Sequence, residues 1–336
     1  MQSSVRLASS IVLAFAALTT TTAAVAQKTW KVGSAAQPGT VLLQFVEDTV
    51  QKISTNTKGE IKAERLFIGS EQELVQQVVR GRVELGSVSY TGASGLVPEA
   101  SVLNMPYLWV SAAERDFVTD KHALPVLKKI YDTKGLVILG LGEVGWNDVV
   151  CKKPCLTPES VKGMKVRVSP SSASKMFWGS LGANGVQMPL SELFPALQSG
   201  LVDAADLPFP YYVTTPAAQS APHYVLTQHL HHGSTVIVNK AVWDGISAEQ
   251  RTAVLAAMPD IVRMRKAVDD EVKPKMEEFK KKGGFVHELT AAQRNEWRKL
   301  VQPNQEALVK EIGGAAPELW AAIQKGKQEY AAGGGK

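Results

Sequence analysis

KGMKVRVS (residues 162–169), followed at once in the same unit by SLGANGVQMPLSELFPALQSGLVDAAD (residues 180–206), decides the fold. Alternation from Met164 to Val168 predicts a short strand that carries one cation, Arg167, toward its end. Pro170, Ser171 and Ser172 punctuate that strand and open a helix, which Leu181-Gly182-Ala183 closes. A second short strand follows, Ser191 is expected to cap another helix ending at Gly200, and a third strand completes the unit. Strand, helix, strand, helix, strand with turn residues between them is an α/β arrangement whose loops gather at one edge of a sheet. An arginine at that edge, near a helix N-terminus with free backbone N–H groups, is a receptor for a carboxylate.

The same run resembles the diagnostic segment of the solute-binding proteins of tripartite ATP-independent periplasmic (TRAP) transporters, the DctP-like family. Gly163, Lys165, Val166, Arg167 and Val168 fit its G-x-K-[IL]-R-V element, and Gly182, Ala183 and Met188 fit the next. Ser191, Glu192, Leu193, Phe194, Ala196, Leu197, Gln198 and Gly200, then Val202 and Asp203, fit the remainder. The likeness extends over nearly the whole mature chain. It implies an α/β, two-lobed periplasmic-binding-protein fold (type II-like) with a long helix crossing both lobes. It also implies a non-enzymatic role: an organic acid bound between the lobes through an arginine–carboxylate salt bridge and passed to the small and large membrane subunits of a permease, with an ion gradient supplying the energy. No cofactor is implied, and a monomer is expected.

Composition agrees with a soluble, exported chain. At 336 residues, 45% hydrophobic and 21% charged, the length suggests about two domains with ordinary cores. A formal charge of +5, with no basic stripe interleaved with aromatics, gives no argument for nucleic acid. Residues 1–26 read as a secretory signal peptide, with Arg6, an apolar run from Leu7 to Leu18 and Ala24-Val25-Ala26 as the cleavage site. The apolar run is too short to span a bilayer. Removing Arg6 with that segment brings the charge from +5 to +4. A periplasmic location follows, and there Cys151 and Cys155 are expected to pair in a local disulfide, since a redox or metal role lacks partner histidines nearby.

Strand and helix patterns place residues 27–144 and about 233–272 in the first lobe, and 145–232 and about 273–330 in the second. Residues 331–336 are expected to be a disordered tail. The chain crosses between lobes near Gly145. Ser247-Ala248-Glu249-Gln250 is a capping box opening a helical run to about Lys281, in which Pro259 and Pro274 are expected kinks or breaks.

Arg167 is the principal candidate for a ligand contact, because a guanidinium matches a carboxylate bidentately. Some acid binders that this chain resembles carry a second arginine where Asn147 stands here. That difference favours a monocarboxylate, aromatic or bearing a keto or hydroxy group, because a second buried charge would lack a partner. By resemblance Leu190, Asp206, Leu207 and Phe209 line the cleft, with Trp146 and Tyr90 at its mouth and Trp178 in packing. Asp206 is expected to hydrogen-bond the ligand or Arg167; a bridging cation there, as in some relatives, has no partner set in the sequence. Two other readings stand beside this one. His229 and His231 on one strand face suggest a secreted metal-dependent hydrolase, although an exposed strand near the hinge is the expected setting. A ligand-binding sensor partner without a permease is the other.

Overall fold

In a computed structural model, residues 27–334 are described, and nine strands among them join in one sheet. They are β1 (Lys28–Ser34), β2 (Ile61–Phe67), β3 (Leu85–Ser89), β4 (Leu136–Cys151), β5 (Lys165–Val168), β6 (Asn184–Gln187), β7 (Ala204–Pro208), β8 (His223–Asn239) and β9 (Phe285–Glu288). The order is β2-β1-β3-β8-β4-β7-β5-β6, with β9 on β8. Pairing is parallel for β1 with β2 and β3, and for β5 with β6 and β7. It is antiparallel where β3 meets β8, and where β4 meets β8 and β7. The segment 1–26 read as a signal peptide lies outside the described residues, as do 335–336.

The sequence reading put one crossing near Gly145 and a short return strand at Val236–Asn239. Instead β4 and β8 are single long strands, paired from Leu136–Asn239 at one end to Cys151–His223 at the other. Each runs through both lobes. Their ladder is irregular at Ile138/Gly140, Glu143/Gly145 and Asn147/Val149. Gly145 has φ +107°, a backbone state that an L side chain strains to adopt, so glycine is required at this bend.

Strand alternation sorts side chains onto two faces of the sheet in each lobe. In the first lobe, Ile138, Val88 and Ile237 join one core, while Leu139, Leu85, Val236 and Val238 join another with Trp30 and Ile53. In the second, Val149, Val166 and Ala204 pack with Phe177, Trp178 and Trp297, whereas Val150, Ala205 and Tyr224 pack with Leu193, Tyr212 and Phe209. Burial of each such Leu, Ile or Phe side chain contributes about 1.5–3 kcal/mol.

The long helical run breaks where the sequence indicated. One helix ends at Leu255, Pro259 lies in the gap, and the helix Ile261–Lys281 begins after Asp260, whose carboxylate accepts from the Arg263 N–H at 3.1 Å. Pro274 stays inside this helix without ending it. The helix touches both lobes. Glu271 accepts from the Val41 N–H (3.0 Å) in the first, and Phe279 packs edge-on against Phe209 in the second.

Three local expectations differ from what is observed. The helix Leu190–Ser199 begins one residue before Ser191 and has no side-chain cap, Pro189 preceding it. The end of the chain departs from the expected placement of 273–330 in the second lobe. Leu308 and Val309 of the helix Gln305–Ile312, and Ala316, Leu319 and Ile323 of the helix Ala316–Glu329, join the core that holds Leu74, Val88 and Ile138 of the first lobe. Of the tail expected at 331–336, residues 331–334 lie in a helical turn that runs Tyr330–Gly334. Cys151 and Cys155 are joined in a disulfide at the end of β4.

Candidate functional site

The carboxyl ends of β1, β3, β5 and β7 meet from opposite sides at the middle of β4 and β8, and a cavity lies there. Open α/β sheets offer ligand crevices at such ends. The first lobe contributes Ser34, Ser87, Ser89 and Thr91, with Glu71 and Gln72 from the start of the helix Glu71–Val79. The second contributes Arg167, Ser169, Leu190, Asp206, Leu207 and Tyr211, and the two long strands add Asn147, His232 and Ser234. Space for water centres amounts to about 50 Å³, enough for a few waters or a small solute. Two hydrogen bonds cross the cleft beside it: the Tyr211 hydroxyl donates to the Ala35 carbonyl (3.0 Å), and the Ser94 hydroxyl to the Pro170 carbonyl (2.7 Å).

Arg167 sits near the end of β5 and is 4% exposed. Its Nε donates to the Met188 carbonyl (3.1 Å) and its Nη1 to the Ser169 hydroxyl. Nη2 has no protein acceptor among the described residues, and no carboxylate oxygen among them lies within 4.0 Å of the guanidinium. Burial lowers the arginine's proton affinity, opposed by the fields of Asp206 and Glu71. No residue of the helix Ser172–Ser180 lines the cavity. Its cap Ser171 takes the Ser174 N–H, and Ser174 takes the Ser169 N–H.

Asp206, 2% exposed at the end of β7, is held by protein. The Asn147 amide donates to its Oδ2 (2.7 Å) and the Trp178 indole to its Oδ1 (3.2 Å). Burial raises its carboxyl, but His229 at 3.8 Å, Arg167 and the Asn147 amide outweigh that and hold it at about 2. It is therefore an ionised orienting group whose oxygens are already engaged, and it makes no hydrogen bond to Arg167. Trp178, expected only to pack, is also one of its donors. Glu71 is fixed by the Ser89 N–H (2.8 Å) and hydroxyl. Burial pushes its carboxyl up, and those bonds and Arg167 offset part of the shift.

Several buried polar atoms on this wall have no protein partner: Ser34 Oγ, Asn147 Oδ1, Ser234 Oγ and both ring nitrogens of His232. Buried polar atoms are nearly always hydrogen-bonded, so their convergence marks the cavity as a receptor for a polar guest.

Of the residues singled out in the sequence, Arg167, Asn147, Leu190, Asp206 and Leu207 line the cavity; Trp146, Tyr90 and Phe209 do not. Alternation along β4 turns Asn147 inward and Trp146 outward, edge-on to His231. Tyr90 fills the space left by the missing side chain of Gly233, and Phe209 packs among Tyr212, Tyr224 and Phe279. Glu71, Tyr211 and His232 were not anticipated. Glu71 reads in sequence as an ordinary first-turn acid after its Ser70 cap, so only the Ser89 that faces it could have drawn notice.

The histidines do not form an exposed strand or a shared site. His229 and His231 are buried, and β8 bulges between Val225 and Leu230, so the alternation that would put them on one face is broken. His229 stacks on Phe177 at 3.8 Å, while His231 Nε2 bonds Glu143 (2.7 Å) beside Arg115 and Arg265. No cluster of three or more metal-ligating side chains occurs among the described residues.

The profile of the family described as "Bacterial extracellular solute-binding protein, family 7" (DctP) matches residues 32–311. The chain belongs to this family. DctP-type proteins of TRAP transporters bind solutes and are not enzymes, and their setting is periplasmic. The chain is similar to the C4-dicarboxylate-binding periplasmic protein DctP of Rhodobacter capsulatus, 27% identical over 263 residues, 77% of this chain and 78% of that one. It is also similar to the 2,3-diketo-L-gulonate-binding periplasmic protein YiaO of Escherichia coli K12, 27% identical over 237 residues, 69% and 72% of the two chains. A crystal structure of a TRAP periplasmic solute-binding protein from Sulfitobacter sp. NAS-14.1 with bound β-D-galacturonate superposes with a TM-score of 0.82 at 25% identity, covering 90% of this chain and all of that one. The two-lobed DctP fold with its spanning helix is thus established here.

Proposed function

We propose that this protein captures a small, oxygen-substituted organic acid in the interlobe cavity, with Arg167 holding the carboxylate, and delivers it to the small and large membrane subunits of a TRAP permease. The observation that carries this reading is the buried Arg167 guanidinium, with Nη2 uncommitted and no counter-ion within 4.0 Å among the described residues. A desolvated charge requires a partner, and a carboxylate from outside supplies it. The relatives' names and the bound galacturonate all describe acids, in agreement. Leu190 and Leu207 give the cavity an apolar side, but the orphan Ser34, Asn147, His232 and Ser234 atoms favour a hydroxy or keto acid over an aromatic one. Among the described residues Arg167 is the one lysine or arginine that lines the cavity, so a monocarboxylate fits better than a dicarboxylate.

The export signal is cleaved near Ala26 in this reading, and the mature protein works as a monomer. Closure follows ligand entry, because Arg167 on one lobe and Ser34, Ser89 and Glu71 on the other touch one ligand together only when shut. The test is calorimetry of the wild type and Arg167→Ala against a panel of acids that includes pyruvate, lactate and galacturonate. Truncating one partner of a buried charged pair costs about 2–5 kcal/mol, so binding should weaken by at least about thirtyfold for every acid that binds. Unchanged affinity in the variant ends the assignment.

A further inference from the structure

We infer that His232 is the residue by which this site discriminates an oxygen-substituted acid from the bare acid of the same shape. The inference rests on the proposed anchoring of the carboxylate at Arg167. His232 lies on β8 in the cavity wall, and its two ring nitrogens are buried without any hydrogen-bond partner. The neighbouring histidines do not line the cavity: His229 meets Thr227 at 2.8 Å through Nδ1, with Nε2 3.8 Å from Asp206, and His231 meets Glu143 at 2.7 Å. Only the third ring of HLHH faces the cavity with its bonding capacity intact.

The chemistry of that ring sets what it recognises. Around it lie Asp206, Arg167 and Glu143, and the ring of His231. Burial is the largest influence, Asp206 opposes it, and His231 and Arg167 reinforce it, so the imidazole is pushed down to about 4 and is neutral near neutral pH. A neutral imidazole offers one N–H donor and one nitrogen acceptor. It can donate to a keto oxygen, or both donate to and accept from hydroxyls, while adding no charge to compete with Arg167 for the carboxylate. Ser34 and Ser234 line the same cavity, and their hydroxyls have no partner among the described residues, so they add to the polar surface around such oxygens. A bare hydrocarbon acid would leave these groups buried and unsatisfied, and so would bind more weakly than the oxygenated acid of the same shape.

The experiment compares size-matched acids by calorimetry at neutral pH: propanoate with lactate and pyruvate, and cyclohexanecarboxylate with galacturonate. The wild type should favour the oxygenated member of whichever pair fits. In His232→Ala that preference should shrink by about tenfold while affinity for the bare acid stays level or rises, since a neutral hydrogen bond and the relief of an orphaned ring both act in that direction. His232→Gln, which keeps a donor and an acceptor, should restore part of the preference, and ligand-free melting temperatures establish that each variant is folded. Equal weakening of both members in His232→Ala, or no preference in the wild type, overturns the role of His232 and leaves Arg167 anchoring intact. If no acid of the panel binds the wild type, the acid-binding reading itself fails, and the role of His232 with it.

Discussion

Asp148 offers a test of the electrostatics beneath the cavity. Its buried carboxylate accepts the Gln228 N–H (2.7 Å) on Oδ1 and faces the Tyr224 hydroxyl (3.0 Å) on Oδ2. That hydroxyl also stands 2.9 Å from the Leu207 carbonyl, so one proton serves two acceptors. A protonated Asp148 resolves the conflict by donating to the tyrosine oxygen while the tyrosine donates to Leu207. Burial raises the group to about 7, against the pull of Gln228, Tyr224 and Arg294. The folded carboxyl thus holds its proton more tightly than the unfolded one. Its stabilising contribution is complete below about pH 4, is lost as pH rises, and levels off above the folded value near 7. Each unit between those limits is worth about 1.4 kcal/mol, so about 2–3 kcal/mol should disappear between pH 5 and pH 8. Asp148→Asn keeps the acceptor for Gln228 and supplies a permanent donor to Tyr224. Urea denaturation of both proteins should show the variant gaining on the wild type by about 2–3 kcal/mol from pH 5 to pH 8 at constant m-value. A stability difference equal at the two pH values would refute the protonated assignment.

Two further outcomes follow from the site and its supports. Tyr211→Phe removes the hydroxyl that spans the cleft to Ala35, leaving a carbonyl worth about 1–3 kcal/mol to satisfy, so ligand affinity should fall by about fivefold or more. Unchanged affinity would show that this bond does not bias closure. Replacing Cys151 and Cys155 together by serine opens a loop of sequence separation 4, and the chain-entropy account allows about 2 kcal/mol for so short a loop. Thermal unfolding should shift down modestly while calorimetric affinity is unaltered; lost affinity would mean that the bridge positions Asn147.

How much of this could be seen in the chain depended on how local the signal was. Arg167 was legible because strand alternation, the Pro170 stop and the following helix all lie within a few residues of it, and the family pattern covers them. The break at Pro259 and the capping box at Ser247 were legible for the same reason. The continuity of β4 and β8 was not, since Gly145 reads as a crossing between lobes when the partner strand is unseen. His232 follows ordinary alternation opposite to His231, but which of the two faces opens on a cavity depends on the elements across the cleft, and HLHH alone does not show that. Glu71 looked like a helix-dipole acid, and its place opposite Arg167 depends on a closure of lobes that no short window records.

Because β4 and β8 each run through both halves, the backbone has to be cut at both strands before one half of this molecule can part from the other. Neither half is a portable module: each is assembled from stretches that are not contiguous in the chain, so no single uninterrupted segment contains one half and excludes the other. Duplication, swapping or grafting of one half during evolution is accordingly disfavoured, and change is channelled into the side chains that face the ligand.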